Sequence, residues 1–141
     1  HMKMVRACVP YLKLGFDPSV VIMASKNVPA PGPGAGAYSV AKAGLTQFAR
    51  VAALELGEYG IRVNVLHPNA VYDTAIWSDD VLKARASSYG LSVEEYKKSN
   101  VLKQEVASRD VAIAAALFAG KDLKMTTGAQ IPIDGGNERV I

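Results

Sequence analysis

The sequence predicts an α/β fold, a parallel sheet in three layers that forms half of a doubly wound arrangement. Three observations carry this. The runs "SVVIMAS" and "IRVNVLH" are short, apolar and β-branched with little polar alternation, the pattern of strands covered on both faces. Long Ala- and Leu-rich segments separate the apolar runs, so consecutive strands are joined by helical crossovers and lie parallel. Only three strands are legible, too few for a complete doubly wound sheet.

The elements follow in order. Residues 1–2 read as an expression-tag remnant, which leaves one unit over 3–141. Residues 3–14 mix apolar and basic side chains up to Gly15, like the last turns of a helix that Pro10 breaks or kinks. Residues 19–25 form a fully buried strand, and a Pro/Gly-rich loop covers 27–36. Residues 38–58 form a long helix closed by Gly57 and Gly60. Its apolar positions, among them Val40, Leu45, Phe48, Val51 and Leu54, surround most of the cylinder, so it should be covered on two sides. Residues 61–67 are a second buried strand, stopped by Pro68. Ser78 with Asp79 and Asp80 reads as an N-cap with an acidic first turn. Ser92 and Glu95 form a capping box, and Ser108 caps "RDVAIAAALFAG", a helix ended by Gly120. "AQIPIDGG" is the last short strand.

Bulk properties narrow the function. A chain of 141 residues, half of them hydrophobic, can bury a real core as one domain. The net charge of +3 comes from scattered lysines and arginines, which argues against nucleic acid or a membrane surface as partner. No apolar run approaches a membrane span, and no leader pattern is visible. Cys8 is the single cysteine, which excludes an internal disulfide and fits a reducing, cytoplasmic setting. Outside the tag the one histidine is His67, so no histidine-based metal site is expected.

The loop with Gly32, Gly34 and Gly36 raises the question of a phosphate cradle. A dinucleotide loop wants its first glycine directly after a strand, in the spacing G-x-G-x-x-G. Here Gly32 comes seven positions after Ser25, among Pro29, Pro31 and Pro33, and the spacing is G-x-G-x-G. A connector with permissive backbone angles is the better reading. What it connects is more informative. Ser25 closes a strand, Tyr38 opens a helix thirteen positions later, and Lys42 follows Tyr38 by four. Residues four apart share a helix face at about 6 Å. A phenol is ordinarily neutral at pH 7, and an ammonium beside it favours the ionised form, which can exchange a proton with an alcohol or carbonyl. A serine hydroxyl can hold the same substrate oxygen. Of the six tyrosines only Tyr38 has a lysine four residues on. A surface tyrosine with a solvated lysine is the competing reading.

These residues resemble the short-chain dehydrogenase/reductase family, whose catalytic serine precedes the tyrosine of Y-x-x-x-K by thirteen residues. Ser25, Tyr38 and Lys42 fit that pattern. "GIRVNVLHP" is similar to the family's sixth strand, where Asn64 would be structural, and "TTGAQIPIDGG" to its final strand and turn. The resemblance implies the C-terminal half of a Rossmann fold. It makes Tyr38 the general acid/base and gives Lys42 two tasks, stabilising the phenolate and binding the nicotinamide ribose of NAD or NADP. Ser25 would position the substrate carbonyl or hydroxyl. Pro68, the backbone at Val71 and Thr74 would lie along the nicotinamide. Two departures stand out: Pro68-Asn69 replaces the family's Pro-Gly, and the stretch to Thr74 is one residue longer. The resemblance places the glycine-rich cofactor motif and a catalytic asparagine before residue 1. The chain alone would then bind dinucleotide poorly and turn over little. With an open sheet edge and a two-sided apolar helix, it should self-associate. In the family the helix carrying the tyrosine and the helix before it often form a dimer contact.

"VPAPGPGAGAYS", "HPNAVYDTAIW" and "IDGGNERVI" are also similar to the dehydrogenase part of bifunctional rhamnulose-1-phosphate aldolase/alcohol dehydrogenases. That resemblance implies a fused aldolase and oxidation of lactaldehyde. Residues 73–106 would form a lid over the substrate, with Trp77, Tyr89 and Tyr96 lining the pocket or simply packing. Two alternatives stand beside it: a dehydrogenase for another sugar, polyol or acyl substrate, and a non-catalytic oligomerisation half-domain.

Overall fold

The computed structural model describes residues 1–137. Residues 138–141, the end of "IDGGNERVI", lie outside them. The chain runs α1 (Met2–Leu12), β1 (Ser19–Met23), α2 (Gly36–Leu56), β2 (Arg62–Pro68), α3 (Asp79–Ser88), α4 (Val93–Lys97), α5 (Ser108–Ala119) and β3 (Gln130–Ile133). The sheet has the order β1-β2-β3 with both pairs parallel, as the alternation of strands and helices predicts. Ser19 pairs with Arg62, and Val65 with Gln130.

Successive residues of β2 point to opposite faces. Val63 and Val65 pack with Ile22, Ala24 and the small stripe Ala49, Ala52 and Ala53 of α2. Alanines let the helix approach the sheet closely. Arg62 and Asn64 point to the other face, which α5 covers. Arg62 is buried, and among the described residues no carboxylate pairs with it. Its guanidinium donates to the carbonyls of Phe118 at 2.7 Å and Gly120 at 2.9 Å. These are open C-terminal carbonyls of α5, where the helix dipole is negative, so the charge is matched by the helix end. Asn64 is structural in the same way. Its Nδ2 donates to the Thr126 carbonyl, and its Oδ1 accepts the Ala129 N–H, docking β3 on β2.

The structure corrects several boundaries. The first strand ends at Met23, so Ser25 lies two residues beyond it. Within that strand only Ile22 is fully buried, because β1 pairs on one side alone among the described residues. Helix α2 begins at Gly36, before Tyr38, and buries one stripe rather than two sides: Val40 and Leu54 stay exposed. Pro10 does not end α1, which runs on to Leu12 and includes Met2. Pro68 is the last residue of β2 instead of its stop, since a strand end spares it from donating. The cap of α5 is Ala107, whose N–H is accepted by Asp110 at 2.8 Å. Ser108 sits inside the helix and is held by Asp73, which accepts its N–H at 2.8 Å and its hydroxyl at 2.6 Å. Ser78 and Ser92 cap α3 and α4 as predicted.

The segment between Asp73 and Ser108 is an excursion closed at its neck. The Tyr72 N–H donates to the Val106 carbonyl beside the Asp73–Ser108 bonds. Its base rests on the turn after β3, where the Leu102 N–H donates to the Gly135 carbonyl.

Candidate active site

The site lies at the carboxyl ends of β1 and β2, where open parallel sheets place their ligands. Ser25 is buried in the turn that leaves β1. Its Oγ accepts the Asn27 N–H at 3.2 Å. Its carbonyl accepts the Val28 N–H at 3.0 Å and lies 2.8 Å from Nδ1 of His67. The next N–H, of Lys26, donates to the Pro68 carbonyl. In this turn Oγ serves as an acceptor, which leaves the serine its hydroxyl hydrogen to donate.

Tyr38 sits in the first turn of α2 with half its surface exposed. Lys42, one turn on, places Nζ 5.8 Å from the centre of the Tyr38 ring. The same Nζ donates to the Met23 carbonyl at 2.9 Å. The helix therefore presents its tyrosine and lysine at the strand end that leads into Ser25. An ammonium carries three hydrogens, and Met23 takes one of them. The remaining two are available to a ligand.

The loop after β2 carries the other expected residues. Pro68 ends the strand, and Thr74 donates its hydroxyl to the Val71 carbonyl at 2.8 Å, so these two engage each other in a local turn. Ala70, between Pro68 and Val71, adopts a φ of 40°, a left-handed angle that glycine takes freely. Thr74 is exposed at the neck of the excursion.

Trp77, Tyr89 and Tyr96 come together, and Tyr72 joins them. Ring centres lie 5.1 Å apart for Tyr72–Trp77, 6.2 Å for Tyr72–Tyr96 and 5.7 Å for Tyr89–Tyr96. These are packing distances. Burial, reinforced by Tyr96 and then Glu105, pushes the Tyr72 phenol well above its ordinary range, so it stays neutral. Burial, with Tyr89 beside it, also raises the Tyr96 phenol. The cluster is partly exposed, Tyr89 most of all, while Leu82, Ala86, Asn100 and Val106 are the buried residues of the excursion. Tyr96 is the ring that meets the other three, and the sequence reading missed Tyr72.

A Cβ added at Gly32, Gly34 or Gly36 would meet nothing within 4 Å, so no neighbour demands glycine there. Only Gly34 has a left-handed φ, of 78°. The loop is a connector. Among the described residues no group of three acidic, histidine or cysteine side chains is placed to hold a metal, and no helix is long and apolar enough to cross a membrane.

The sequence reading also passed over His67, treating it only as an argument against metal. Its signal was there: one imidazole in an otherwise apolar strand, directly before Pro68.

The family model described as enoyl-(acyl carrier protein) reductase matches residues 1–138. An uncharacterized oxidoreductase of Bacillus subtilis, YuxG, is 42% identical over 123 residues, which cover 84% of this chain and 18% of that protein. The short-chain dehydrogenase reductase 3a of Arabidopsis thaliana is 38% identical over 124 residues, covering 86% of this chain and 46% of that protein. Among solved structures, carveol dehydrogenase from Mycobacterium avium in complex with NAD aligns with a TM-score of 0.83 at 27% identity, over 94% of this chain and 50% of that one. The chain thus spans half or less of the length of these relatives.

Proposed function

The chain belongs to the short-chain dehydrogenase/reductase family, and on that premise we propose that the protein carrying it moves hydride between NAD(P) and a small hydroxyaldehyde. The observation that carries the reading is the Tyr38–Lys42 pair, tied to the Met23 carbonyl two residues before Ser25. The donor set suits a nicotinamide nucleotide: the two unspent Lys42 hydrogens match the vicinal hydroxyls of a ribose. Tyr38 and Lys42 would hold that ribose, with Pro68, Val71 and Thr74 along the nicotinamide.

NAD(P), when bound, supplies the hydride acceptor. The substrate enters as the hydrate of its aldehyde. Ser25 donates a hydrogen bond to one hydroxyl oxygen, and Tyr38, as phenolate, takes that hydroxyl's proton. Hydride leaves the same carbon, and the product is the carboxylic acid. Lys42 stabilises the phenolate.

The substrate follows from context. The chain covers only 18% of the Bacillus relative but 46% of the Arabidopsis one, so the former has length for further domains. The reading of a dehydrogenase fused to a rhamnulose-1-phosphate aldolase, with lactaldehyde passed from one to the other in the cytoplasm, rests on the resemblance carried by "VPAPGPGAGAYS", "HPNAVYDTAIW" and "IDGGNERVI". The acyl-reductase description of the family model favours a second reading, an acyl substrate. A purely oligomeric module leaves the Ser25, Tyr38 and Lys42 arrangement without a purpose.

The test is an assay of the full-length protein with NAD and lactaldehyde, and in parallel with an enoyl-thioester and NADH. Tyr38→Phe should lower kcat by about 10²- to 10⁴-fold, the usual worth of a general acid/base, and leave the melting temperature unchanged. Wild-type turnover of the thioester alone would replace the aldehyde reading. Undiminished turnover by Tyr38→Phe would remove the mechanism.

A further inference from the structure

We propose that His67 is a positioning residue that fixes Ser25 for hydride transfer, an inference that rests on the catalytic reading above. His67 is 3% exposed and shares its face of β2 with Val63 and Val65. An imidazole at such a position is costly unless both ring nitrogens are bonded. Both have partners. Nδ1 lies 2.8 Å from the Ser25 carbonyl, and Nε2 lies 3.0 Å from the carboxamide oxygen of Gln130.

The chemistry of these partners assigns the proton. A carbonyl only accepts, so Nδ1 carries a hydrogen and donates it to Ser25. The hydrogen bond at one ring nitrogen sets the state of the other. In the neutral ring Nε2 accepts, and the Gln130 amide can serve it with an N–H after a half-turn of the carboxamide. The result is a polar strut across the whole sheet, from Gln130 on β3 through His67 on β2 to the turn after β1.

Along this parallel ladder the backbone of β2 bonds Ala24 and Lys26, the residues on either side of Ser25, and not Ser25 itself. The imidazole supplies the contact from β2 to the Ser25 carbonyl. Without it, Ser25 keeps its bonds within its own turn, to Asn27 and Val28, while the Ala24–Leu66 and Lys26–Pro68 bonds hold its neighbours to β2. The Ser25 residue could then rotate between those two anchors. A displacement of about 1 Å at a catalytic group can cost on the order of 10²-fold in rate.

The test is a double-mutant cycle in the full-length protein, read by NAD reduction. His67→Ala should lower kcat by about 10- to 100-fold with KM for NAD unchanged. His67→Asn, which sets an amide N–H near the place of Nδ1, should restore most of the loss. His67→Gln, which reaches toward the place of Nε2, should not. In a Ser25→Ala background His67→Ala should cost little more, because the two act as a unit. Full additivity of the two substitutions would overturn the proposal. A second readout needs no turnover: a nitrogen–proton correlation spectrum of the imidazoles, with His67 assigned by its loss in His67→Asn. A hydrogen on Nδ1 supports the strut, and a hydrogen on Nε2 alone refutes it. A protein that transfers no hydride would sink the catalytic reading, while the ring nitrogens would still report whether His67 holds Ser25.

Discussion

Gly135 shows how much one atom decides. Its φ is 63°, and a Cβ there would lie 2.6 Å from the Asn100 side chain. Asn100 cannot retreat. It is buried, and its carboxamide is bonded at both ends to the backbone of Gln104, donating to the carbonyl and accepting the N–H. Gly135→Ala should therefore destabilise by about 2 kcal/mol or more, a left-handed backbone cost plus overpacking. Gly60, at a φ of 69° with open space around it, supplies the control, with only the backbone cost of about 1 kcal/mol. Urea midpoints at constant m would measure both, and equal losses would remove the steric part. The turn at "IDGG" was legible because two glycines after a strand have few other uses. Its wall was not legible, because Asn100 comes from a different segment. Tyr38 and Lys42 were legible for the opposite reason: both lie on one helix, where spacing sets geometry.

At the scale of elements, the neck of the excursion is held by charge. The bonds from the Ser108 hydroxyl and then from its N–H hold the Asp73 carboxyl below its ordinary value of 3.8. A lowered carboxylate value means stability that is present above the ordinary value and lost as pH falls through the lowered one. The neck should therefore be closed at neutral pH and begin to loosen only below about pH 4. Amide protection of Ser108, followed against pH, measures this. In Asp73→Asn the protection should be weaker at neutral pH and should no longer fall in acid ahead of global unfolding. Wild-type protection that stays flat through that range would count against the charge. The caps of α3 and α4 could be read because each cap bonds within its own first turn. Ser108 misled because its hydroxyl is spent on Asp73, and no local pattern announces that contact.

For the whole molecule the decisive feature is what the chain leaves open. Among the described residues β1 has one paired edge, α2 shows Val40 and Leu54 to solvent, and an open groove of about 520 Å³ runs between α1 and α2, past Val5, Val9, Phe48 and Ala52. Unpaired edges and apolar faces of this kind drive association. In light scattering the chain should exceed its monomer mass, and a clean monomer at tens of micromolar would contradict that. A fluorescence titration with NADH belongs at the same scale. The chain by itself should show no saturable binding, and the full-length protein should show binding that weakens in Lys42→Ala. Saturable binding by the chain alone would mean that the nicotinamide side assembles independently of the rest of the sheet.

The sequence by itself determined the parallel α/β class, the order of the elements and the helix-borne pair Tyr38–Lys42. Apolar period and helical spacing are local properties, readable without coordinates. Only the tertiary structure decided that Lys42 reaches the Met23 carbonyl and that Asp73 clamps Ser108. It also decided that four aromatic rings close on one another and that His67 touches Ser25. Each of these joins segments far apart in the chain, and residue types constrain such a contact far less than the packing that brings the segments together.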